Sequence, residues 1–170
     1  MCFGLTLVKT SEIEGYIKQI ADMDTYADKL EAQIKASETT IEPAKLGTIT
    51  LKEVWDLLVP IAVPYISDEI FSTTSKEEAS KFSEETAVQF RTWVAENHDC
   101  DNFSFALQGY WSKGLYSFPF GIAWSSSHAF NIFIDNLKQI WIVEPQTNKW
   151  LTLEEAKSNK LYYPIRFICL

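Results

Sequence analysis

Three side chains far apart in the chain have the residue types of covalent thiol chemistry. Cys100 lies in "NHDCDNFSFALQGYW" (residues 97 to 111), His128 heads "HAFNIFID", and Glu144 lies in "VEPQT". A cysteine attacks a carbonyl carbon as its anion. An imidazole within reach takes the proton and later returns it to the leaving group, and a carboxylate on the far ring nitrogen fixes the imidazole. The three residue types therefore predict an amide-cleaving centre, provided the fold brings them together.

The elements around them are arranged to do so. Asp99 is a good helix N-cap and Asn102 sits three residues on, so Cys100 is predicted as the first residue of a helix. Unpaired amide N–H groups and the positive end of the helix dipole gather there and favour an anion. The flanking Asp99 and Asp101 oppose it. His128 starts a strand after "SSS", and "DNLK" is a turn to the next strand, "QIWIVEPQT". A hairpin centred near residue 136 sets Glu144 beside His128. Taken singly, each residue has a plainer reading: a core cysteine, a strand-edge histidine and a solvated strand end.

The rest of the chain supplies helices first and strands after. Residues 11 to 36 have apolar residues at helical period, with Ser11 and Glu14 at capping-box spacing, and residues 36 to 48 have linker composition. A short helix is expected from Thr50 and Glu53 to near Pro60. A longer one is capped by Ser75 and Glu78 and carries Ala79, Phe82, Val88, Phe90, Trp93 and Val94 towards residue 96. The helix after Asp99 is expected to bury Phe103, Ala106, Leu107 and Tyr110. "YSFPFGIAWS", "HAFNIFIDN", "QIWIVEPQT" and "LYYPIRFICL" read as strands, and Thr152 caps a short helix. The expected fold class is α+β: N-terminal helices followed by an antiparallel β-sheet. Residues 1–75 form an N-terminal helical segment, either a cover, an assembly arm or an integral part of the core; residues 76–170 form the core that holds the three residues.

Bulk composition narrows the function. At 170 residues and 46% apolar the chain is long enough for a packed core. A net charge of −8, with 15 scattered Lys and Arg, argues against a nucleic-acid partner. "VWDLLVPIAVPYI" is broken by Asp56, Pro60 and Pro64, so no membrane span is expected. Cys2, Cys100 and Cys169 are neither a disulfide framework nor, with two histidines, a zinc cluster, which fits a reducing, cytoplasmic setting. Cys169 reads as core and His98 as an exposed loop residue. Trp111, Trp124, Trp141 and Trp150 are either core or the lining of a sugar or peptide groove. "MCFG" has the form of an N-terminal nucleophile, but the adjoining "LTLVKTSEIEGYIKQ" lacks the glycine-rich and Arg-containing stretches such enzymes need.

"DCDNF", "HAFN" and "VEPQT", in that order, resemble the papain-like and transglutaminase-like cysteine peptidase superfamily. Within it they are most similar to the papain-like C-terminal domain of a fairy-ring mushroom agglutinin and its small bacterial and phage relatives. The likeness covers roughly the last 80 residues. It implies a papain-like or transglutaminase-like core and a thiol hydrolase of peptide or isopeptide bonds. Cys100 would be the nucleophile, His128 the general base and Glu144 the orienting acid, with a protein or peptide as substrate. It also implies calcium, which Asp99 or Asp101 would hold. No regular calcium loop is present, so no cofactor is expected. Papain's glutamine before the cysteine has no counterpart in "WVAENH", so the oxyanion donors would be the Cys100 amide and a second group such as Gln146 or His98. The alternative is an inactive accessory protein on the same fold that binds a protein partner through its N-terminal helices.

Overall fold

In a computed structural model the chain divides into two compact units, Met1–Thr39 and Thr40–Leu170. Residues 46–170 are the described ones, and all lie in the second unit. The helix expected over residues 11 to 36, and Cys2, lie outside them.

The elements run β1 (Gly47–Thr50), α1 (Leu51–Leu58), β2 (Val63–Tyr65), β3 (Ile70–Thr73), α2 (Lys76–Glu85), a 3-10 turn (Val88–Phe90) and α3 (Cys100–Trp111). They continue with β4 (Phe120–Trp124), β5 (Ala129–Ile134), β6 (Ile140–Glu144), β7 (Lys149–Thr152), α4 (Leu153–Lys157) and β8 (Phe167–Cys169). The fold mixes helices with two sheets. The expected order of helices first and an antiparallel sheet after does not hold. Strands β1 to β3 interleave with α1, and β2 pairs in parallel with β8 inside an otherwise antiparallel six-stranded sheet of order β2-β8-β4-β5-β6-β7. These early strands hold three or four residues each, too few for a periodic signal. β2 carries Pro64, which a strand tolerates at a sheet edge where no partner needs its missing N–H.

Local signals were decisive where they set caps. Glu53 N–H donates to Thr50 Oγ1 and Glu78 N–H to Ser75 Oγ, starting α1 and α2; Glu155 N–H donates to Thr152 Oγ1, starting α4. The second helix stops far short of residue 96. Ala87 takes a left-handed φ of 57°, and Thr86 Oγ1 donates to Ser83 O while accepting from Val88 N–H. Beyond it Phe90, Trp93 and Val94 are exposed, so the apolar face of α2 does not continue through them.

β5 is buried at all six positions, as a central strand covered on both faces must be. Alternation sends Phe130, Ile132 and Ile134 to a cluster with Ile49, Val54, Leu58, Phe71, Ala156 and Ile168. It sends Phe133 the other way, with Phe120 and Val143, against Phe103, Leu107 and Trp111 of α3 and Ala79 of α2. Each Val, Leu, Ile or Phe among them contributes about 1.5–3 kcal/mol on burial. Residues 46–75 thus supply four members of the first cluster, Ile49, Val54, Leu58 and Phe71. Gly121 lets β4 approach β8: a Cβ there would stand 2.0 Å from Cys169 O.

Candidate functional site

Cys100 and His128 line one shallow groove of roughly 260 Å³, together with Asp99, Asp101, Trp124, Ser125, Ser126, Ser127 and Ala129. It lies at the end of the sheet where β4 turns into β5. That turn is held by Ser125 N–H donating to His128 O (3.0 Å) and by Ser125 Oγ accepting from His128 N–H (3.1 Å).

The α3 wall begins as the sequence predicts, at Cys100. Asp99 N–H donates to Asn102 Oδ1 (3.2 Å), and Asn102 N–H donates to Asp101 Oδ1 (2.8 Å). The Asp99 and Asp101 side chains meet: a hydrogen bond to Asp99, more than burial, holds the Asp101 carboxyl above its ordinary range. Further in, Ser104 Oγ donates to Cys100 O (2.8 Å), and Asn131 Nδ2 donates to Ser104 O and Gly121 O (both 3.0 Å). Asn131 thereby ties α3 to β4 and β5 from a fully buried position, its Oδ1 without a partner. An asparagine inside the apolar run "HAFNIFID" was the signal that sequence reasoning passed over.

On the other wall, His128 Nε2 and Glu144 Oε2 are 2.7 Å apart, both side chains about nine-tenths buried. The expected pair forms, though by a different register. Asn131 opposes Val143 and Ile132 opposes Ile142, which centres the hairpin on residue 137 and puts Glu144 diagonal to His128. A displacement of two positions keeps every side chain on its face, so the contact survives. The turn is set by Asp135, whose Oδ1 accepts from Leu137 N–H and Gln139 N–H, with Lys138 at φ 62°.

Tyr162, absent from the sequence reading, completes this wall. Its hydroxyl donates to Glu144 Oε2 (3.0 Å), and its ring packs edge-on to His128 at 5.6 Å. Burial, then the Glu144 charge, pushes the phenol well above its usual range, so it stays a donor. Of the other candidate residues, His98 packs on Phe103 (4.8 Å between ring centres), Gln146 N–H donates to Glu144 Oε1 (3.3 Å), and Cys169 is exposed rather than core. Trp111 is buried against Phe120, whereas Trp124 reaches the groove. Among the described residues no group of three or more His, Cys, Asp or Glu is arranged for a metal ion, and no helix is long and apolar enough to cross a membrane.

Cys100, His128 and Glu144 therefore gather at one end of the sheet, but not as a chain of hydrogen bonds. The His128 ring packs on Phe130 and Tyr162, in the cluster on the face opposite α3. Among the described residues no hydrogen bond joins the thiol to the imidazole, and two carboxyl groups flank the thiol.

No family model matches the chain, and no curated protein does. Solved structures do match. One is the PSL1a–E64 complex, at 20% identity and a TM-score of 0.60 over 72% of this chain and 51% of that one. Another is the Polyporus squamosus lectin bound to the human-type influenza-binding epitope Neu5Aca2-6Galb1-4GlcNAc, at 20% identity and a TM-score of 0.59 over 72% of this chain and 49% of that one. The match thus spans about half the length of these lectin chains. These neighbours correct the reading drawn from the motif resemblance. The fold is shared with a lectin, so the assignment to the papain-like and transglutaminase-like peptidase superfamily is withdrawn. With it go the thiol hydrolase activity, the protein or peptide substrate and the partner at the N-terminal helices. The thiol's surroundings accord with the correction: it sits beside paired acids, which oppose its ionisation.

Proposed function

We propose that the groove is a non-enzymatic binding site for a neutral saccharide. The observation that carries this reading is its lining: carboxyl groups of Asp99 and Asp101, hydroxyls of the exposed Ser126 and Ser127, an imidazole, and the half-buried indole of Trp124, in an open depression. Vicinal sugar hydroxyls donate to carboxylates and accept from serines, while an indole offers a flat apolar surface to sugar C–H groups. The lectin fold supports the ligand class. The charge supports neutrality, because two acids at the groove and a net −8 overall disfavour an anionic sugar.

In this reading Cys100, His128 and Glu144 remain the functional centre. Glu144 holds the ring by Nε2, which leaves Nδ1 as the ring nitrogen for a sugar hydroxyl to meet. Cys100 lines the groove with the acids and the serines. Unpaired thiols at Cys100 and Cys169 support a reducing, cytoplasmic setting.

Calorimetry with neutral di- and trisaccharides and with a sialylated trisaccharide tests the reading. The expected result is binding of a neutral sugar, weakened about tenfold by Trp124→Ala, a loss of roughly 1.4 kcal/mol, with no binding of the sialylated one. Two results would overturn it: no saccharide bound at millimolar concentration, or rapid iodoacetamide labelling of Cys100 that slows in His128→Ala and so marks an activated thiol.

A further inference from the structure

Glu144 Oε2 is a shared acceptor. It lies 2.7 Å from His128 Nε2 and receives the Tyr162 hydroxyl at 3.0 Å, while Oε1 receives Gln146 N–H at 3.3 Å. Glu144 is 7% exposed and Tyr162 6% exposed, so these donors meet the carboxylate largely out of bulk water. A carboxylate held from only one side can rotate about its terminal torsion, and the imidazole rotates with it. Tyr162 blocks that rotation twice, by its hydroxyl on Oε2 and by its ring against the edges of both His128 and Phe130 (5.6 and 5.3 Å). Its backbone is fixed in turn by Tyr162 N–H donating to Asn159 O (3.0 Å), just after α4.

We propose that Tyr162 is a positioning residue of the groove: by fixing Glu144 it selects the Nε2–H tautomer of His128 and so leaves Nδ1 as the acceptor nitrogen. This rests on the geometry of the wall and not on the identity of the ligand. It assigns a role to a side chain that touches the groove only through two others. In the neutral ring either nitrogen can carry the proton, and the partner of the protonated one decides which. An isolated imidazole has no such partner. Here the partner is a carboxylate whose position depends on a phenol.

The test is the ring 15N spectrum of the histidine-labelled full chain at about pH 8, where imidazole is ordinarily neutral. The chain has two histidines, and His98 is the internal control. In the unmodified protein the His128 signals are expected to be those of the Nε2–H tautomer. Tyr162→Phe keeps the ring and removes the hydroxyl. The ratio of tautomers should fall about fivefold, the size of one ordinary hydrogen bond, with His98 unmoved. Biosynthetic 3-fluorotyrosine, whose phenol is a stronger donor, should also shift the His128 signals and requires no mutation. His128 signals unchanged in folded Tyr162→Phe, or unchanged in the fluorotyrosine protein should the variant not fold, would overturn the proposal. A saccharide that fails to bind while the tautomer responds would overturn the ligand reading alone.

Discussion

Two helix starts in this molecule use the same local device to different ends. At α1, Thr50 Oγ1 accepts from Glu53 N–H, Glu53 Oε2 accepts from Thr50 N–H (2.9 Å), and Lys138 Nζ clamps Glu53 Oε1 (2.8 Å). Those groups are occupied with one another. At α3, Asn102 Oδ1 satisfies only Asp99 N–H, and two aspartates press together with no cation among the described residues paired to either. The first start is locally consistent, and the second is not. A conflict tolerated at one cap and absent from another marks where a sequence serves something besides stability. At α3 the conflict lies in the wall of the groove, and the anchoring has moved inward to Asn131.

That comparison can be broken by experiment. If α3 is held from within, Asn131→Leu should lower the unfolding free energy by about 2–3 kcal/mol, the cost of losing two buried hydrogen bonds, read from the urea midpoint. A loss below about 0.5 kcal/mol, within the range of ordinary surface changes, would return the anchoring role to the cap. If the α1 cap is purely structural, Thr50→Ala should cost about 1 kcal/mol and leave the His128 ring signals untouched. The cap also predicts a pH window. Hydrogen bonds from Lys138 and Thr50 lower the Glu53 carboxyl from 4.5 to about 2. Its contribution is therefore complete above the ordinary value and is lost as pH falls towards the folded one. The gap in melting temperature between the unmodified protein and Glu53→Gln should close over that interval.

The smallest effect has the opposite sign. Asp101 is raised by its neighbour, so the folded state holds that proton longer and loses stability as pH rises through the folded value. Asp101→Asn should thus stabilise the protein at pH 7, by roughly 0.3 kcal/mol for a solvent-screened pair, while weakening saccharide binding. Destabilisation by Asp101→Asn would remove the contrast between the two helix starts.

What was legible in the sequence was what is encoded within a few residues. Thr50 with Glu53, Ser75 with Glu78, Asp99 with Asn102 and Thr152 with Glu155 each announce a helix start, and each helix begins there. The His128–Glu144 contact was legible because a hairpin turn is local, and the error in its register was an even number of positions. What was illegible depends on partners far away. β1 exists because β3 pairs with it, and β2 because β8 does. Tyr162 reaches Glu144 only after α4 and its turn have folded back on the sheet. Motif order alone pointed to a peptidase, because the order of three residue types carries no information on which face of the sheet each ring will occupy. The groove's tryptophan was weighed with three others, and only the fold distinguishes Trp124, at the groove, from Trp111, which is core.

The parallel pairing of Val63–Tyr65 with Phe167–Cys169 joins segments about a hundred residues apart. A ribosome delivers the first long before the second. Until the later segment emerges, the earlier one has an unsatisfied flank, and β4 lacks the neighbour that fills the space beside Gly121. Closure of the sheet at this edge therefore waits on the later segment, and the loop entropy it must overcome is that of a contact between residues far apart in the chain.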